Sequence, residues 1–81
     1  MNGLRVYINA ESADAHGSRQ LVFYSRRAAG PYYCWRYEEQ AGQWLCSRLH
    51  PPDWTPKTLC VASWKAVPVA LQARLGEHYL D

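Results

Sequence analysis

A chain of 81 residues carrying a net charge of +2 has room for one domain with a single thin core, since folding at this length hides only about 60–65% of the unfolded chain's surface. Apolar residues make up 48% and charged ones 20%, which excludes a disordered chain. The small net charge says little about partners, but its distribution says more: no acidic residue falls between Asp14 and Glu38, while Arg19, Arg26, Arg27 and Arg36 all do.

The first run, Leu4 to Ala10, puts Leu4, Val6 and Ile8 on one side and Arg5, Tyr7 and Asn9 on the other. This period of two with β-branched residues predicts a half-buried strand. The small and polar segment Glu11 to Arg19 reads as a loop. Gln20 to Arg27 predicts a second strand, with Leu21 and Phe23 on one face and Val22 and Tyr24 on the other. The simplest link between the two is an antiparallel hairpin with a long connection. Ala28 to Pro31 breaks the ladder, Gly30 supplying unusual dihedrals and Pro31 lacking a donor.

Two aromatic runs follow, Tyr32 to Glu39 and Gln43 to Leu49. Gly42 between them suits the left-handed position of a hairpin loop of three to five residues. Alternation puts Tyr33, Trp35 and Tyr37 on one face. A three-residue turn would join them to Leu45 and Leu49, leaving Arg36, Glu38, Trp44 and Arg48 on the wetter side; a slip of one residue would flip the partner strand. Pro51, Pro52 and Pro56 rule out a central strand or helix interior between His50 and Lys57. Thr58 to Trp64 can form a short fifth strand. Val67 to Asp81 predicts a helix with Pro68 in its first turn. The fold expected is therefore α+β: one domain, residues 1–81, with an antiparallel sheet of four to five strands and one C-terminal helix packed on one face.

On a helical wheel Val67, Leu71, Leu75, His78 and Tyr79 cluster as the sheet-docking face. Val69, Ala73, Gly76 and Leu80 fall opposite, where charge is usual, and form the candidate dimer contact. Burial of that stripe under the proline-rich segment, with Trp54 as a lid, is the competing reading. A second surface mixes rings with guanidinium groups: Tyr24, Arg26, Arg27, Tyr32, Arg36, Trp44 and Arg48 form the candidate ligand face. Rings stack on bases and arginines contact phosphates, so this set suits single-stranded nucleic acid. The bland alternative is that most of these rings are core.

Cys34, Cys46, His50 and Cys60 are spaced C-x11-C-x3-H-x9-C, without the close pair that seeds a zinc tetrahedron. No metal and no cofactor is expected. His16, His50 and His78 allow a Cys–His pair on paper, yet no nucleophile motif or phosphate loop accompanies them, and Glu38 and Glu39 point to opposite sides of a strand. The chain therefore reads as no enzyme. Without an N-terminal apolar run or a membrane-length segment, and with an odd number of cysteines, a cytoplasmic setting with free thiols is expected. The functional expectation is a small protein-interaction module that forms a homodimer, with a nucleic-acid binder as the alternative and no membrane partner.

Overall fold

The computed structural model describes residues 3–9, 22–50 and 59–80. Within them lie β1 (Arg5–Asn9), β2 (Phe23–Arg26), β3 (Tyr33–Glu38), β4 (Gln43–Arg48), β5 (Leu59–Val61) and α1 (Val69–His78). All five strands form one antiparallel sheet in the order β4-β3-β2-β1-β5. The chain thus makes a four-stranded meander and returns to the far edge, where β5 pairs with β1. The α+β class with one C-terminal helix holds. The segments 11–19 and 51–58, with Trp54 and the expected lid, fall outside the described residues. Among the described residues no helix is long and apolar enough to cross a membrane.

The alternation in β1 reads directly into the core, where Val6 is buried and Leu4 and Ile8 pack against it. Phe23, Trp35, Trp44, Val67, Leu71, Leu75 and Tyr79 complete the cluster. Leu71 and Leu75 are fully buried, and each leucine removed from water contributes about 1.5–3 kcal/mol. Pro68 precedes α1 with φ −55°, and its carbonyl accepts the Gln72 N–H at 2.8 Å. The Gln72 side chain turns back and donates to the Trp64 and Val67 carbonyls, tying the helix to the 3-10 turn Trp64–Ala66.

Two local expectations are corrected. The β3–β4 loop has four residues, Glu39 to Gly42, because Glu38 pairs with Gln43. Gly42 takes the left-handed φ of +66°, and its N–H closes on the Glu38 carbonyl at 2.7 Å. The Glu38 carboxylate also accepts the Gln40 N–H, so Glu38 starts the turn and the register shifts by one. Tyr37 then faces Trp44, Trp35 faces Cys46 and Tyr33 faces Arg48. The core gains Trp44, 1% exposed, while Leu45 stays 42% exposed; an indole offers more apolar surface to bury than an isobutyl group. In the loop after β2 the positive φ falls on Ala29, at +62°, and not on Gly30, with the Gly30 N–H bonded to the Arg27 carbonyl. The same register pairs Cys34 with Ser47 and Cys46 with Trp35, which puts these two thiols on opposite faces of the sheet.

Polar bonds fix the C-terminal end of α1. Ser25, fully buried in β2, accepts the Trp35 indole N–H at 2.9 Å and shares a 2.8 Å hydrogen bond with the Tyr79 hydroxyl. Two residues on, Arg27 donates to the Tyr79 carbonyl at 2.8 Å, and its guanidinium lies over the Tyr79 ring. A cation at the negative end of a helix is favourable.

Candidate functional site

The stripe of α1 turned away from the sheet is the first surface. Val69 is 80% exposed and Leu80 is 81% exposed; Ala73 is exposed and Gly76 half-buried. A methyl group added at Gly76 would meet nothing within 4 Å. From Val69 to Gly76 the stripe runs about 10 Å at 1.5 Å per residue. The helix ends at His78 and Tyr79 leaves helical dihedrals, so Leu80 lies past the last turn and the helical wheel does not carry it onto the stripe. Trp64, just before the helix, is a further exposed apolar side chain.

The second surface is the helix-free face of the sheet, and it holds only part of the ring-and-arginine set. Alternation puts Tyr24, Arg26 and Arg36 there. The Arg26 guanidinium sits 4.7 Å from the centre of the Tyr32 ring, and Tyr32 meets Tyr7 at 6.0 Å. Arg5 is exposed opposite Arg26 and Arg36 is exposed at the other end of β3, whereas Tyr24 is buried. Burial raises the Tyr24 pKa, with further help from Cys34, against the lowering effect of its hydrogen bond with Asn9. The other three members leave this face. Arg27 is committed to the end of α1, Trp44 is in the core, and Arg48 pairs with Tyr33 on the helix side. The seven residues therefore do not converge.

A cleft of about 230 Å³ opens between the C-terminal half of α1 and strands β3 and β4, lined by Trp35, Cys46, Arg74, Glu77 and His78. The helical wheel assigns His78 to the sheet-docking face and gives Arg74 and Glu77 no role. The His78 ring does lie edge-on against Tyr33 at 4.4 Å and Trp35 at 5.4 Å, but the residue is exposed. Burial of its ring, and then the nearby Arg74 charge, lower the His78 pKa. Burial pushes the Cys46 thiol up, with Arg74 opposing, so Cys46 stays in the weakly nucleophilic protonated form at neutral pH. The spacing of Arg74 and His78, four residues apart on a helix, was visible in the sequence. Their meeting with Cys46 was not, because it requires the Trp35–Cys46 pairing that the four-residue loop sets.

Cys34, Cys46 and Cys60 are all free thiols. Among the described residues no three His, Cys, Asp or Glu side chains converge into a metal-binding group. Comparison with protein-family models, curated proteins and solved structures finds no match, so a functional reading rests on the surfaces themselves.

Proposed function

We propose that this domain is a non-enzymatic protein-interaction module that self-associates through the outward stripe of α1, in a reducing compartment such as the cytoplasm, where its three thiols stay free. The observation that carries the reading is the pair Val69 and Leu80, each about four-fifths exposed, bracketing Ala73 and Gly76 with no charge between them on that line. Small residues in the middle let two helices approach closely, and a two-fold contact would pair the stripe with itself. Isolated exposed apolar residues are ordinary; an uncharged line of three residues along one helix, followed by an exposed leucine just past its end, is less so.

Sedimentation equilibrium of the wild type and of Ala73→Glu, with circular dichroism to follow the fold, tests this. A buried unpaired carboxylate costs several kcal/mol after relaxation. At about 1.4 kcal/mol per tenfold, the dissociation constant should rise on the order of a hundredfold while the helix stays docked through Leu71 and Leu75. A wild type that stays monomeric at millimolar concentration ends the proposal.

One observation favours a second reading. Arg26 over Tyr32, with Tyr7 beside it and Arg5 opposite Arg26 on β1, forms a ring-and-cation cluster on the helix-free face, and Arg36 lies farther along β3 on the same face. This arrangement suits stacked bases and phosphates of a single strand. About three phosphate contacts would give a slope of log affinity against log salt near −2, at roughly −0.7 each. An oligonucleotide that fails to bind at low salt removes this reading and leaves the first untouched.

A further inference from the structure

We propose that the cleft between α1 and strands β3 and β4 is a binding site for a small planar monocarboxylate. The cleft's cation is Arg74, and its donors are largely uncommitted. Its Nη1 meets Glu77 Oε2 at 3.5 Å, well beyond the about 2.7–2.9 Å of a charge-assisted hydrogen bond. Its Nε is buried without a hydrogen-bond acceptor among the described residues, whereas the side chain as a whole is 39% exposed, so the η nitrogens are the donors a ligand can reach. A guanidinium presents its N–H donors in a flat fork that matches a carboxylate, and the two η nitrogens can form such a bidentate pair from the cleft.

The remaining lining narrows the ligand class. Trp35 spends its indole N–H on Ser25, so towards the cleft it offers only apolar ring. The Trp35 and His78 rings stand edge to face at 5.4 Å and Trp35 is buried beneath, so the exposed His78 ring is the aromatic face against which a flat body can lie. Cys46 keeps its proton and His78 is disposed to the neutral form, so both can act as uncharged hydrogen-bonding groups. One guanidinium faces one rim carboxylate, Glu77, whose side chain is 71% exposed. That balance fits a single negative charge and disfavours a dianionic phosphate. The volume, about 230 Å³, is below the roughly 300–1,000 Å³ of pockets for drug-sized ligands, so the acid is small.

Sodium benzoate is a suitable probe, titrated into ¹⁵N-labelled full chain and followed by proton–nitrogen correlation spectra. Benzamide serves as the uncharged isostere and inorganic phosphate as the competing anion. Saturable shifts should concentrate at the Arg74 Nε–H and at the amides of Cys46, Arg74, Glu77 and His78. Benzamide should bind at least about tenfold more weakly, a loss of about 1.4 kcal/mol. Arg74→Gln should lose at least about tenfold in benzoate affinity with an unchanged circular dichroism spectrum, and Arg74→Lys should recover only part of it, because a point charge lacks the fork. Equal binding of benzoate and benzamide would overturn the proposal. So would an Arg74→Gln variant of wild-type affinity, shifts scattered over the sheet's other face, or phosphate binding as tightly as benzoate. None of these variants touches Val69, Ala73, Gly76 or Leu80, so the result is independent of self-association.

Discussion

Removing one hydroxyl from β2 should come close to unfolding the domain. Ser25 is fully buried and its oxygen is the meeting point of the Trp35 indole N–H at 2.9 Å and the Tyr79 hydroxyl at 2.8 Å. Ser25→Ala leaves both without a partner. Each stranded buried polar group costs about 1–3 kcal/mol. Trp35 is 1% exposed and has no route to water, so its N–H sits at the upper end; Tyr79, with slightly more exposure, sits lower. The sum is about 2–5 kcal/mol, set against a total stability of about 4–12 kcal/mol for a chain of this length. Tyr79→Phe, by contrast, leaves the Trp35–Ser25 bond intact and should cost only about 0.5–1.5 kcal/mol. Urea denaturation followed by tryptophan fluorescence, at a concentration where the wild type is monomeric, measures both. In the Ser25→Ala background the tyrosine change should cost less than it does alone, since the hydroxyl it removes is already unpartnered. A Ser25→Ala variant within about 0.5 kcal/mol of wild type would refute the reasoning, for such a value is expected of a surface change and not of a buried network.

Ala29→Gly should stabilise the domain by about 0.5–1 kcal/mol, because a left-handed alanine costs roughly 1–2 kcal/mol and glycine gives back part of that as unfolded-state entropy; a higher urea midpoint at unchanged slope is the readout. Gly76→Ala adds a methyl group into open space and should raise monomer stability by about 1 kcal/mol through helix propensity, while weakening self-association if two helices pack at that position; denaturation and sedimentation on the same sample separate the two effects. Stability should also fall as pH rises from about 9 to 11. Burial raises the pKa of Cys46, Tyr24 and Tyr79, so the folded state holds protons that the unfolded state releases near the ordinary thiol and phenol values of about 8.5 and 10. Urea midpoints at pH 7 and 10.5 should show the decline, and Tyr79→Phe should make it shallower.

Periodic features and the left-handed Gly42 were legible, and the length of the turn was not. Leu4, Val6 and Ile8 alternate into the core, and Leu71, Leu75 and Tyr79 recur at helical spacing, so burial imposes the same answer that the pattern suggests. The hairpin register depended on a single residue of loop length, and two apolar pairings competed, one burying Leu45 and Leu49 and the other Trp44. What separates them is the pair of bonds at Glu38, from its carbonyl to Gly42 and from its carboxylate to Gln40, which no alternation encodes. That one-residue shift moved Trp44 and Arg48 out of the expected ligand face and placed Cys46 in the cleft. Arg26 and Arg27 belong together in the expected ring-and-guanidinium face, yet β2 ends at Arg26 and the two side chains part. Arg26 lies over Tyr32 on the open face, while Arg27 reaches the end of α1.

The inward contacts of α1 account for its outward surface. A ten-residue helix is marginal by itself in water, so the stripe Val69, Ala73 and Gly76 exists as a surface only while the opposite side is held. Leu71 and Leu75 supply the attraction, but apolar packing alone tolerates some rotation about the helix axis. Rotation is stopped by directed bonds at both ends: Gln72 to the Trp64 and Val67 carbonyls near the start, and Ser25 and Arg27 to Tyr79 at the finish. Changes at these anchors should therefore act on every surface the helix carries, the cleft at Arg74 and His78 included, whereas changes at Ala73 should act on one alone. That difference lets a loss of association caused by a loosened helix be told apart from one caused by a damaged interface.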